Sequence, residues 1–558
     1  MKGSPIELPE KYYLNYFSTL LTHVELMYAA LLSKEEKSFI RRFRKLPEDA
    51  QCLFIRLVNR RGAFFRMNKI KYQEIEDQEG CLKLLLRRKY FSRLDKQHIQ
   101  ELPLVLHTFT KAELINIAKE LLNKEQLGPL RKLKKPELLE AMLLSISPSK
   151  LIKVLQIYEP IVRVGHDHEL EMLKFLYFGH LDGDMTQFVV RDIGYVKSEA
   201  FDESKLKALF NSRKEAEDKL TISKVYREFK YQRDELLLTA DQLYEWFEKL
   251  KLKREILCEL AQPHYDKLCL RLGKLLEQQS FPKLALEVYQ CTEQAPARER
   301  RVRLLHKLGM IDEALELCQL IQKEPSNADE RFFAEDFCNR IQKKKRTRKA
   351  TDYLKKSACI ELAEEHKNYV ELGVLDYLRE QGQEGVHTEN YLWRGFFGLL
   401  LWDIIFDQDS EAFHNPLQTV PTDFYTPRFL EKRNDAIMQR MQVLEYPKRF
   451  HNIVRHHFET KMGMSNPIMG WHESLLMLVE KCYECLEPRQ IANVLLEMAR
   501  NLRENTKGFP DLFVWDDQSY RFVEVKSPSD QLSAQQLYWL HFFEKEGISA
   551  EVIRVSWN

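Results

Sequence analysis

Apolar residues recur at intervals of three and four through most of the chain, and the period changes only towards its C-terminus. In residues 108–145, Leu114, Ile117, Ala118, Leu121 and Leu122 keep this spacing, the stripe with which an amphipathic helix buries one face. Thr110 opens the stripe as TKAE, a capping box with Glu113 at the third helical position. The pattern predicts a break at LGP, residues 127–129, and a second helix at KKPELLEAML with Pro136 in its first turn. From about 150 to 375 the helical period is continuous. LCLRLGKLLEQQSFPKLALEVYQ and RVRLLHKLGMIDEALELCQLIQKEPSNADE each read as two helices joined by a turn.

Beyond residue 380 the signal becomes mixed. GVHTENYLWRGFFGLLLWDIIFDQD predicts a long apolar helix with Glu389 near its start. PDLFVW and YRFVEVK are β-rich runs separated by the turn-forming DDQS, and together they predict a hairpin. A turn centred on Asp517 and Gln518 places Asp511 opposite Glu524, with Cβ atoms about 5 Å apart. Glu524 and Lys526 then share one face, while Val523 and Val525 turn to the other. A helix from Leu532 or Ser533 and a strand, AEVIRVSW, complete the region.

With 558 residues the chain is long enough for three or four domains. Its 44% apolar and 30% charged residues give ample core material. Glycine (19) and proline (20) are scarce, which favours helices over sandwiches and barrels. No run of about 18 uncharged apolar residues occurs, so no membrane span is expected, and MKGSPIELPEKYYLNYF lacks the apolar core of a secretory signal. The net charge of +2 conceals 86 basic and 84 acidic residues, so clustering, not total charge, carries the information. Arg56, Arg60, Arg61, Arg66, Lys69 and Lys71 fall together in CLFIRLVNRRGAFFRMNKIKYQEI, as a solvated helix face or a surface for DNA phosphates. Lys132, Lys134 and Lys135 join Arg131 between the two short helices. The densest run, KKKRTRK at 343–349, includes Lys343, Lys344, Lys345 and Arg346. It reads as a solvated helix face, a localisation tag or a phosphate-tracking patch, and its place shortly before the C-terminal domain favours nucleic acid.

Ten scattered cysteines form no disulfide framework, and Cys482 and Cys485 lack partners at zinc spacing. His451, His456, His457 and His472 match no zinc pattern either, and surface or structural roles are expected.

The chemistry therefore centres on Asp511, Glu524 and Lys526. Two carboxylates this close repel unless a cation lies between them, and hard oxygen donors select Mg²⁺ or Mn²⁺. A lysine beside such an ion can orient a water for attack on a phosphodiester. An exposed Glu524–Lys526 salt bridge on an ordinary hairpin is the alternative.

Several motifs resemble known families. The helix-turn-helix at 106–150 resembles a SAP module, which implies duplex DNA binding. The helix pairs resemble tetratricopeptide repeats, but Ala285 and Ala314 are 29 residues apart instead of about 34. Such a degenerate repeat serves as a rigid spacer or binds a protein partner. Helix, hairpin, helix and strand resemble the core of a PD-(D/E)xK nuclease. VEVKSPSDQLSAQQ resembles specifically a VRR-NUC domain, with Pro528, Asp530, Leu532-Ser533 and Gln536 following the ExK.

SAP module, tetratricopeptide-like region and VRR-NUC domain in this order resemble the Fanconi-associated nuclease family. The resemblance implies four regions: an N-terminal helical DNA-binding region (1–105), a SAP-like segment (106–150), a helical repeat region (151–375) and an α/β nuclease domain (376–558). The fold class is thus mainly α, ending in a restriction-endonuclease-like α/β domain. The implied metal ligands are Glu389, Asp511, Glu524 and the Val525 carbonyl, holding Mg²⁺ or Mn²⁺, two ions per site. Lys526 would position the water, Gln536 would support the site, and Arg503 would meet DNA phosphate. Gln535 occupies a position that is basic in relatives gripping a 5′-terminal phosphate, so dependence on that phosphate should be weak. Residues 1–50 contain no cysteine and one histidine, His23, so no ubiquitin-binding zinc finger is expected there. That fits a bacterial member, cytoplasmic and DNA-associated; a eukaryotic one would be nuclear.

The implied activity is structure-selective cleavage of 5′-flap and branched DNA, with 5′→3′ exonuclease activity alongside, in DNA repair including interstrand crosslinks. A Holliday-junction resolvase and a helical protein-binding scaffold with an inactive nuclease fold are the rival expectations.

Overall fold

The computed structural model describes residues 8–194, 197–235, 238–251, 257–344 and 347–558. The chain forms two units, residues 1–195 with 208–216 and residues 196–207 with 217–558.

In the first unit the apolar stripe of the capping-box segment is the helix Lys111–Leu121. Thr110 and Glu113 each accept the other's backbone N–H, and the stripe's Leu114, Ile117 and Ala118 are fully buried. They pack with Leu138, Met142, Leu151 and Leu155 in one core. The expected break at LGP is instead part of a third helix, Lys124–Leu130. A second capping box, Asn123 with Gln126, starts it, and its buried Leu127 and Leu130 join the same core. Lys135–Ser145 follows, with Pro136 in the first turn as the pattern predicts.

Short strands β1 (Phe64–Arg66), β2 (Phe91–Arg93) and β3 (Ile161–Val164) form an antiparallel sheet with β3 in the middle. β1 corrects the reading of the basic run. Arg66 is only 6% exposed and does not face solvent phosphates. Its two Nη atoms lie 2.8 and 2.6 Å from the Glu113 carboxylate, its Nε pairs with Glu159, and its plane lies 4.0 Å above the Phe109 ring. The Arg66 guanidinium holds the Glu113 carboxyl well below the usual carboxylate range. Register explains the burial: Arg66 is paired with Ile161, two residues from Glu159. Arg60 and Arg61, on the turn before β1, are exposed.

In the second unit the repeat-like segments are helix pairs. Gln262–Gln278 is followed by Pro282–Tyr289, and Ala297–Lys307 by Ile311–Lys323. Ala285 and Ala314 are fully buried. Gly309, at φ +84°, supplies the left-handed residue that lets the second pair turn. The next helix, Ala328–Lys343, is joined to Ala297–Lys307 by the buried pair Arg298–Glu330.

The C-terminal sheet has five strands: β4 (Ala358–Leu362), β5 (Glu384–His387), β6 (Leu512–Trp515), β7 (Tyr520–Lys526) and β8 (Ala550–Trp557). Their order is β4-β8-β7-β6-β5. β8 runs parallel to both neighbours, whereas β6 runs antiparallel to both β5 and β7. β4 lies before residue 376, so the sheet begins earlier in the chain than the sequence suggests. Helix α1 (Val370–Glu380) covers one face, burying Val374, Leu375 and Leu378 against Leu512, Val514, Val523 and Val525. Helices α2 (Tyr391–Leu400) and α3 (Ala534–Glu546) line the other face with aromatic rings. Trp393, Phe509, Phe513, Phe522, Trp539 and Phe543 form a continuous stack, with centroids of Phe509 and Trp539 only 4.2 Å apart.

Removing the buried guanidinium leaves Glu113 and Glu159 uncompensated. Arg66→Ala should therefore destabilise the first unit by about 3 kcal/mol or more. Arg61→Ala, on the surface, should stay within about 0.5 kcal/mol of the parent. Denaturant unfolding of the two variants beside the parent checks both values.

Candidate active site

The hairpin forms in the register its alternation implies. Leu512 pairs with Val523 and Trp515 with Tyr520, which extrapolates to Asp511 opposite Glu524. Phe522, Glu524 and Lys526 alternate onto the aromatic face, so the charged pair stands at the end of an apolar wall. Glu524 has no solvent exposure and Lys526 has 8%. The Lys526 ammonium lies 2.7 Å from Glu524 Oε1, and the Asp511 carboxylate accepts the Val525 N–H at 2.8 Å.

Gln536 reaches the same carboxylate. Ser533 caps α3, and the Gln536 side chain closes the capping box by accepting the Ser533 N–H at 2.9 Å. The other end of that amide donates to Glu524 Oε1. Glu524 Oε2 is buried and has no hydrogen-bond partner.

Glu389 arrives differently from expectation. GVH is not helical but belongs to β5, which pairs antiparallel with the outer edge of β6. Glu389 sits in the turn between β5 and α2, at φ +35°. The Asp511 carbonyl accepts the N–H groups of Thr388 (2.7 Å) and Glu389 (2.9 Å) and so holds this left-handed conformation. The long apolar helix is also shorter than predicted, ending at Leu400 before a separate turn of helix, Trp402–Ile405.

Burial dominates the electrostatics. It pushes the Glu524 carboxyl up to about 8, with the charge of Asp511 adding to the rise, Lys526 opposing it and Glu389 adding less. Burial likewise lifts Asp511 to about 6; the Val525 N–H and Lys526 oppose it, and Glu371 adds to it. Glu371, in the first turn of α1, is an acidic neighbour that the sequence reading missed. Helical periodicity marks the helix, but not which of its residues faces another element.

An orphaned, buried carboxylate oxygen beside a second desolvated carboxylate suits a hard divalent cation. Among the described residues, no group of three or more acidic, histidine or cysteine side chains is placed to hold a metal ion. An open donor set of this kind is what Mg²⁺, which keeps several waters, requires. Asp511 and Glu524 are the two carboxylates brought together here, and Glu389 acts on Glu524 only through its charge.

The remaining candidates lie elsewhere. Arg503 is exposed on the turns between the helix Pro488–Arg500 and Asp511. Lys132 and Lys134 are exposed, whereas Lys135 is half-buried and donates to the His107 carbonyl at 2.9 Å. Lys343 and Lys344 are exposed at the end of their helix; Lys345 and Arg346 lie outside the described residues. Gln535 is buried, its amide 3.5 Å from Asn505 and its backbone tight against Gly508. Cys482 and Cys485 are free thiols. His451 pairs with Glu480, and His457 with the Leu399 carbonyl.

Two family models match the chain: "FAN1, HTH domain" over residues 11–92 and "VRR-NUC domain" over residues 447–557. The second spans Asp511, Glu524, Lys526 and Gln536 and begins after Glu389. The Fanconi-associated nuclease 1 homolog of Pseudomonas aeruginosa is 28% identical over 99% of this chain and 97% of its own. Human Fanconi-associated nuclease 1 is 32% identical over 33% of this chain and 19% of its own. The crystal structure of paFAN1 bound to 2nt 5′flap DNA with gap matches with a TM-score of 0.81 and 25% identity, covering 99% of this chain and 100% of that one. A second structure of that protein, bound to 1nt 5′flap DNA with gap, matches at 0.80. Family models match both terminal regions and the fold is shared from end to end with the Pseudomonas relative, so the chain is similar over its whole length to Fanconi-associated nuclease 1.

Proposed function

We propose that this protein is a divalent-metal-dependent endonuclease that incises the 5′-flap strand of branched DNA close to the junction, with 5′→3′ exonucleolytic cutting at the same site. Its setting is DNA repair, interstrand crosslinks included. The observation that carries the reading is the unpartnered Glu524 Oε2 beside Asp511, with the Lys526 ammonium 2.7 Å from the other oxygen. The nuclease family and the flap DNA held by the Pseudomonas relative support it.

Glu389, Asp511, Glu524 and the Val525 carbonyl would hold Mg²⁺ or Mn²⁺, two ions per site. When bound, the cation polarises the phosphate and provides hydroxide at neutral pH. Lys526 donates towards the attacking water and offsets charge on the phosphoryl oxygens. Gln536 keeps the Glu524 carboxylate in one rotamer, so the ligand arrives pre-oriented. Arg60, Arg61, Lys132, Lys134, Arg503, Lys343 and Lys344 are exposed cations for duplex phosphates. Phosphate contacts carry no sequence, so selectivity comes from the shape and bendability of DNA at a flap. Among the described residues no helix is long and apolar enough to cross a membrane.

Metal binding should be coupled to pH with a defined sign. Burial raises both carboxyl groups, so without a cation they favour the protonated form. Their contribution to stability is present below the ordinary carboxylate range and is lost as pH rises, through about 6 for Asp511 and about 8 for Glu524. A cation takes the place of those protons. The rise in Tm on adding Mn²⁺ should therefore grow between pH 5.5 and pH 8.5, and Glu524→Gln should flatten that growth; thermal unfolding with and without Mn²⁺ measures it.

The activity itself is tested with labelled 5′-flap, 3′-flap and four-way-junction DNA, using Mg²⁺, Mn²⁺ or EDTA. The 5′-flap strand should be cut only with metal, and Asp511→Ala should slow cutting at least about a hundredfold while DNA binding persists. Equal cutting of four-way junctions would favour a resolvase. Binding by the parent with no cutting of any substrate would leave a scaffold.

A further inference from the structure

A cavity of about 450 Å³ is lined in part by the Glu389 turn. Its walls come from α2 and from the loop preceding the helix Leu475–Cys485, and include Glu389, Tyr391, Arg394, Ile468, His472 and Ser474. Several of its polar side chains are donors that lack an acceptor. Arg394 is half-buried and donates from Nε to the Ile468 carbonyl, which fixes the guanidinium plane. Among the described residues Arg394 makes no ion pair, so its two Nη groups lack an anion. The Tyr391 hydroxyl is buried and has no partner.

His472 adds a third donor. The Ser474 N–H donates to His472 Nδ1 at 3.2 Å, so that nitrogen carries no proton and the ring's hydrogen sits on Nε2. Among the described residues Nε2 makes no hydrogen bond. The Tyr391 and His472 rings meet edge-on with centroids 6.0 Å apart, so the two donors occupy one neighbourhood. The start of α2 adds its partial positive charge at the same wall. Among the described residues the only carboxylate lining the cavity is Glu389, which the proposed function assigns to the metal.

We propose that this cavity is a binding site for a DNA phosphodiester, the one next to the scissile phosphate on the cleaved strand, held by Arg394, Tyr391 and His472. Donors without acceptors, one of them a fixed guanidinium and one a buried hydroxyl, match a phosphate's oxygens. Phosphates of one strand recur about every 3.4 Å of duplex axis. A scissile phosphate at Asp511 and Glu524 therefore brings its neighbour to the Glu389 turn that separates the two sites. The site would set the register of the cut. Holding the strand on both sides of Glu389 prevents it from sliding by one nucleotide. This inference rests on the nuclease reading.

The test uses 5′-flap substrates carrying one neutral methylphosphonate at successive positions around the cut, with Tyr391→Phe, His472→Ala and the parent. Each variant should cut the all-phosphate flap about tenfold more slowly, and the cut should spread over neighbouring nucleotides. For one position beside the cut, the methylphosphonate should slow the parent to the variants' rate and leave the variants unchanged. Tyr391→Phe keeps the ring and its packing, so a folding defect in His472→Ala does not blunt the test; unfolding curves identify one. A defect that persists undiminished at every methylphosphonate position, or variants cutting like the parent, would overturn the phosphate site. A parent that fails to cut the ordinary flap would overturn the nuclease reading instead.

Discussion

The active-site region depends on one residue, Asp511, used three ways at once. Its carbonyl accepts the Thr388 and Glu389 N–H groups, its carboxylate accepts the Val525 N–H, and its position continues β6 opposite Glu524. The first contact sets the Glu389 turn, the second fixes the side chain against β7, and the third brings two buried carboxylates together. None of these survives alone. Without the turn Glu389 has no reason to adopt φ +35°, and without the hairpin register Glu524 has no carboxylate opposite it. The site is thus stabilised by ordinary backbone hydrogen bonds and destabilised by its own charges.

The aromatic wall is what makes that conflict useful. Trp393, Phe509, Phe522 and Phe543 fill the space beneath the charged pair and exclude water from it. In such surroundings an unpaired carboxylate oxygen is costly. In the proposed function a divalent cation relieves this cost. Gln536 and Lys526 satisfy one oxygen of Glu524 and leave the other without a partner. Gly508, at φ +80° and in contact with Gln535, lets the chain enter this crowded corner before Phe509.

Much of this was legible in the sequence because it is local. The hairpin register follows from alternation and from DDQS, and the start of α3 from Ser533 and Gln536. The N-terminal capping box is equally local. What escaped depends on contacts between distant segments. β5 is four residues long and runs directly into an apolar helical stretch, so the periodicity of 384–405 hides it. Arg66 sits in a basic run, yet Glu113 and Glu159 decide its fate from 47 and 93 residues away. LGP looks like a break until Asn123 and Gln126 are seen to restart the chain ahead of it. Glu371 and the Arg394–His472 cavity carry no motif; only folding assembles them.

The strand order has a kinetic side. β8 sits between β4 and β7, and Arg554 donates to the Ser357 carbonyl across 197 residues of chain. Closing so long a loop makes the β4–β8 pairing entropically slow, whereas β8 reaches β7 across a short connection. Synthesis delivers the hairpin before β8, the strand that pairs beside Glu524 and Lys526, so until β8 docks the carboxylates stay hydrated. A complete sheet is therefore a condition for catalysis as well as for stability. A growing polypeptide passes through its partly built stages with no working nuclease among the cell's nucleic acids.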